Sequence, residues 1–143
     1  MKERLLELFQ KRFNTDSKSK SSQYQKEICQ ILQSVIDKIY SIESKVGYYA
    51  NFSDTLKIHS IDEDFPYEEL PKIISCNDYE FDFDTNWLDI NLEEYFNEIK
   101  NKRIKYQETI IQNVENSLND HKKELEEIKN LNYIELDTDL SNN

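Results

Sequence analysis

Residues 22–47 read SQYQKEICQILQSVIDKIYSIESKVG, and the fold class follows from how that stretch is read. Ile28, Leu32, Val35, Ile39, Ile42 and Val46 recur at alternating spacings of four and three, with Ile31 and Ile36 widening the stripe. That period belongs to a helix with one buried face. Ser22 followed by Gln25 has the form of a capping box. Gly47, the only glycine in the chain, follows Lys45-Val46, where a left-handed residue closes a helix. The spacing predicts a helix over 23–46.

Outward from it, residues 2–13 place Leu5, Leu6, Phe9 and Phe13 on one face, with Lys11 and Arg12 suited to its C-terminal end. Residues 14–21 (NTDSKSKS) read as a polar linker. Further on, Asn91 with Glu94 three residues later marks another N-terminus, and Ile90 is placed to staple onto Tyr95. An apolar row then runs through Leu92, Phe96, Ile99, Arg103, Tyr106, Ile110, Val114, Leu118, His121, Leu125, Ile128 and Leu131. The spacing relaxes to four and four between 110 and 118, a drift toward an 11-residue repeat. Residues 113–120 are the weakest helix formers of the run, and Ser117 with Asp120 has the form of a cap. The segment 92–131 therefore reads either as one long helix or as two joined near 117.

The middle of the chain is less regular. Residues 48–52 and 55–61 read as short strands, Leu56 and Ile58 alternating with Lys57 and His59. Pro66 to Leu70 reads as one helical turn. Tyr79 to Asp84 alternates aromatic and acid, which predicts a strand over 79–83 with Glu80, Asp82 and Asp84 on the outer side. The expected fold is mainly α with a small β element: two long amphipathic helices, a short N-terminal helix, and short strands between. Residues 1–136 read as a single domain, with 137–143 a disordered tail. Forty helical residues span about 60 Å, against a radius of gyration of about 14–15 Å for a compact domain of this length. The other helices, or a second copy of the chain as a homodimer, must cover that row.

Composition narrows the function. One glycine and two prolines in 143 residues leave no phosphate loop, dinucleotide fingerprint or nucleophile elbow. Seven Phe, nine Tyr and one Trp supply a core despite a mean hydropathy of −0.84. No apolar run reaches the roughly 20 residues of a membrane span, and the charged N-terminus lacks a signal-peptide region. Cys29 and Cys76 read as two free thiols of a cytoplasmic protein, Cys29 as a buried structural one. His59 and His121 pair with neither cysteine at zinc spacing, and His121 reads as a packed, hydrogen-bonded side chain. A calcium loop starting at Asp78 would need Gly and Glu where Phe83 and Asp89 stand. No cofactor or metal is expected, and no nucleophile or oxyanion hole marks an enzyme.

Charge is the informative feature. The chain carries −11, but residues 47–98 hold fourteen acids and two bases, net −12, while the flanks are +3 and −2. Nine of the seventeen aromatics lie between Tyr48 and Trp87. Such self-repulsion is offset by a basic partner, and it opposes contact with phosphates or anionic lipid. Small acidic proteins of this composition include toxin-immunity proteins, antitoxins and inhibitors that mimic nucleic acid. The expectation is a cytoplasmic, non-enzymatic protein that occludes the cleft of a basic partner, a nuclease, toxin or nucleic-acid-processing enzyme, without binding nucleic acid or membrane itself. Its contact residues would be Asp62, Glu63, Asp64, Glu68, Glu69, Glu80, Asp82 and Asp84, anchored by Tyr67 and Trp87. The alternative is a homodimeric helical adaptor or secretion-type chaperone binding through apolar helix faces. Scarce Ala and Gly with abundant Asn, Lys, Ile and Tyr fit an AT-rich genome, bacterial or phage.

Overall fold

A computed structural model of the chain describes residues 1–49, 51–62 and 68–133. The protein is mostly helical with one small antiparallel sheet. In chain order come α1 (Lys2–Asn14), α2 (Lys18–Val46), β1 (Ile73–Cys76), β2 (Phe81–Asp84), a short 3-10 helix (Thr85–Asp89) and α3 (Leu92–Lys129). The chain divides into two units, Met1–Asn101 and Lys102–Asn143.

The first unit contains the core. Leu5, Leu8 and Phe9 of α1 meet Ile28, Cys29, Leu32, Val35, Ile36 and Ile39 of α2. Phe52, Ile58, Ile61, Ile74, Cys76 and Phe83 complete the cluster. Each fully buried aliphatic side chain is worth about 1.5–3 kcal/mol over its exposed form. On α1 the buried face is centred on Leu5, Leu8 and Phe9, while Phe13 is exposed, so the face is rotated toward Leu8 from the one expected. The buried face of α2 keeps the expected Ile28, Leu32, Val35, Ile36 and Ile39, leaves Ile31, Ile42 and Val46 half-buried, and has one unexpected member, Glu43, which is fully buried.

One helix boundary differs from expectation for a local reason. Helix α2 begins at Lys18, not 23: the Ser17 hydroxyl accepts from the Lys20 amide at 3.3 Å, capping the helix a turn and a half before Ser22. The supposed linker thus shrinks to Thr15, Asp16 and Ser17. At the other end Gly47 sits at φ 75° and its amide returns to Glu43 and Ser44, the expected left-handed cap. Helix α3 runs unbroken from Leu92 to Lys129, so Ser117 starts no new helix. Its N-terminus is the expected one, with the Glu94 amide donating to the Asn91 side chain at 3.1 Å.

The described parts of 48–62 form no ladder, apart from a single bridge between Ile61 and Cys76. Side-chain amides take a neighbouring strand's place there. Gln33 accepts from the Ile58 amide at 2.8 Å and donates to the Leu56 carbonyl at 3.1 Å. Asn77 accepts from the amides of His59 and Ser60 and donates to the Lys57 carbonyl. Buried backbone polar groups must be paired, and these amides pair them without a sheet.

The sheet is β1 against β2, with Ile74 opposite Phe83 and Cys76 opposite Phe81. β2 starts two residues later than expected. Asn77, Asp78 and Tyr79 all have positive φ, so Tyr79 and Glu80 belong to the turn rather than to the strand. Pro66 and Tyr67, with which the supposed turn at 66–70 begins, and the tail at 137–143 lie outside the described residues.

Candidate acidic binding face

The β1–β2 ribbon has two unlike faces because side chains alternate along a strand. Inward point Ile74, Cys76, Phe81 and Phe83. Outward point Ile73, Ser75, Asp82 and Asp84, with Ile73 opposite Asp84 and Ser75 opposite Asp82. Glu80 and Asp82 are exposed and Asp84 is half-buried. Asp82 accepts from the Ser75 hydroxyl at 3.3 Å. The Asp84 carboxylate accepts from the Asn86 amide at 2.9 Å, capping the 3-10 helix. The sequence-predicted outer row of Glu80, Asp82 and Asp84 therefore lies on the solvent side of the ribbon and its turn.

The remaining predicted contact residues separate into three groups. Glu68 and Glu69 are exposed, in the segment that leads into β1. Glu63, Asp64 and Tyr67 lie outside the described residues. Asp62 and Trp87 have structural roles instead. Asp62 receives the Asp78 amide at 3.0 Å and the Tyr79 amide at 2.6 Å, so its carboxylate holds the left-handed turn. The Trp87 ring is half-buried, set edge-on to Phe52 at 4.9 Å and Phe83 at 5.0 Å, and stacked on Phe81 at 6.1 Å. These contacts tie the half-buried ring to the core cluster.

A second polar constellation escaped the reading of the sequence. Glu43 is buried on α2, and its carboxyl accepts from the Tyr95 hydroxyl at 2.5 Å, the Asn51 side chain at 3.1 Å and the Phe52 amide at 3.4 Å. Asn51 also donates to the Tyr95 oxygen at 3.1 Å. Burial, and then the hydrogen bond to the Glu43 carboxyl, push the Tyr95 phenol well above its ordinary value. One signal was available: Glu43 stands four residues after Ile39 on the buried stripe of α2, where an acid is out of place.

A cleft of about 480 Å³ opens between α2 and residues 57–59, lined by Lys26, Cys29, Gln33, Lys57 and His59 among others. Burial raises the Cys29 thiol above its ordinary value, which keeps it protonated at neutral pH. Cys29 and Cys76 are both buried and unbridged. His121 is not packed: its side chain is 77% exposed, 3.9 Å from Glu124. Among the described residues no cluster of three His, Cys, Asp or Glu side chains is arranged to hold a metal ion. No helix among them is long and apolar enough to cross a membrane. No known protein family, curated protein or solved structure matches the chain.

Proposed function

We propose that this chain is a non-enzymatic, cytoplasmic binding protein that occludes a basic protein partner, in the manner of an immunity protein, an antitoxin or an inhibitor that mimics nucleic acid. The observation that carries the reading is the two-faced ribbon. Its inner face is spent on the core, and its outer side presents Glu80, Asp82 and Asp84 in a segment of net charge −12. Exposed Glu68 and Glu69 extend the same sign. Acids concentrated on an outward surface accelerate encounter with a cationic cleft and penalise phosphate-bearing competitors. Unbridged buried thiols support a reducing compartment.

Among the described residues the contact set narrows to Glu68, Glu69, Glu80, Asp82 and Asp84, because Asp62 and Trp87 build the turn and the core, while Glu63, Asp64 and Tyr67 stay in the proposal. The test uses Glu68→Lys, Glu69→Lys, Glu80→Lys and Asp82→Lys together, sparing the capping Asp84. Wild-type chain should capture a basic protein from nuclease-treated lysate of the source cells at low salt and release it at high salt. The fourfold reversal should slow association by about tenfold to a hundredfold while far-ultraviolet dichroism stays unchanged. Capture that survives both the reversal and the salt sinks the reading.

A further inference from the structure

The second unit offers a different surface. From Lys102 to Lys129 helix α3 is exposed nearly all round. A helix of that length whose side chains stay exposed is marginal in water, since most helical stability in proteins comes from burying an apolar face. Such a face exists. Ile104, Ile111, Leu118 and Leu125 recur at intervals of seven, and their exposures are 44%, 55%, 51% and 50%. Val114, His121 and Ile128 each follow three residues after one of them, with Val114 61% and Ile128 56% exposed. This is the a and d row of a heptad, whose 3.5-residue period keeps one seam turned toward a partner helix.

The residues beside the seam identify what covers it. Ahead of the four a positions stand Arg103, Ile110, Ser117 and Glu124; behind the four d positions stand Glu108, Glu115, Lys122 and Lys129. We propose that residues 103–129 form a parallel, in-register, two-stranded coiled coil with a second copy of this chain. In that arrangement each flanking residue of the first set faces the residue five positions further on in the other copy. Arg103 then meets Glu108 of the second copy, and Glu124 meets Lys129 of the second copy. Ile110 and Ser117 are uncharged opposite Glu115 and Lys122, so no like charges oppose one another. The coil is about 40 Å long. Gln107 and His121 occupy d positions, where polar residues lower affinity and help to select register and strand number. This inference stands apart from the acidic face and does not depend on it.

Sedimentation equilibrium of the full chain, up to roughly 100 μM, should read twice the 17.2 kDa of one copy. Leu118→Lys should give a monomer whose near-ultraviolet dichroism is intact, because no core residue is altered. Glu124→Lys replaces two ion pairs with two like-charge contacts and should weaken dimerisation about tenfold. Adding Lys129→Glu to it should restore the wild-type affinity, because the two residues face each other only in the parallel register. His121→Leu should tighten the dimer. A monomeric wild-type chain, a dimer indifferent to Leu118→Lys, or a double reversal that fails to restore affinity would each overturn the proposal.

Discussion

Glu43 and Tyr95 show how one buried pair ties two distant parts of the chain together. Fifty-two residues separate them in sequence, and a 2.5 Å hydrogen bond joins them. The described partners of the Glu43 carboxyl are three neutral donors, so its burial is compensated by hydrogen bonding. Removing one donor is therefore costly. Tyr95→Phe should lower stability by about 1–2 kcal/mol at neutral pH, measured by urea denaturation. The same variant should change the alkaline limb. The folded state holds the Tyr95 proton above the ordinary value of 10.0, so this stabilisation is complete below pH 10. As pH rises beyond that value the unfolded state ionises first and stability falls. Tyr95→Phe should show a smaller fall between about pH 10 and 11; an identical alkaline limb in both proteins would contradict this account.

Among the elements, the β1–β2 hairpin carries the local strain. Asn77, Asp78 and Tyr79 stand at φ 57°, 57° and 67°, and only the first two are residue types that tolerate that region well. The turn persists because Asn77 is bonded to residues 57, 59 and 60, and because Asp62 receives two of the turn's amides. Tyr79 shares in this through its amide, which Asp62 holds at 2.6 Å, but its side chain adds little, the residue being 74% exposed. Tyr79→Gly should therefore raise stability by about 0.5–1 kcal/mol, visible as a higher melting temperature. A lower melting temperature would mean that the Tyr79 ring contributes more than its exposure suggests. The opposite holds for Asp62, whose loss would undo the turn. An effect of Asp62 substitution on partner capture would thus report folding as well as charge.

At the scale of the whole molecule, apolar burial is divided unevenly. The first unit holds the hydrophobic cluster, whereas side chains over 102–133 are almost all exposed. Backbone hydrogen bonds without buried contacts open easily. At concentrations where the chain is monomeric, amides of residues 102–129 should exchange at least about a hundredfold faster than the amides of buried α2 residues. Raising the concentration should protect 102–129 selectively if a second copy covers the seam. Uniform protection along both helices at high dilution would show that α3 needs no such partner.

The sequence by itself determined what depends on near neighbours. The α2 stripe, the Gly47 cap, the Asn91 cap and the outward row of Glu80, Asp82 and Asp84 all follow from periodicity or from contacts within four residues. That made the mainly helical class with a small β element legible, along with three members of the acidic face now seen on the ribbon's outer side. The tertiary structure decided whatever depends on partners far along the chain. Gln33 and Asn77 supply the hydrogen bonds of 56–60 from 17 to 25 residues away, so an alternating segment that reads as a strand is held without one. Trp87 went to the core because Phe52, Phe81 and Phe83 converge on it, and Asp62 went to a turn 16 residues downstream. Composition records that such groups are present, but long-range packing alone settles whether an aromatic or an acid faces solvent or is consumed inside. The sequence row already held Val114, Leu118, His121, Leu125 and Ile128, but it ran through Tyr106 and Ile110 and passed over Ile104 and Ile111. Apolar residues on several faces of α3 fit more than one stripe, and the seven-residue recurrence of Ile104, Ile111, Leu118 and Leu125 is the row that a second helix can follow.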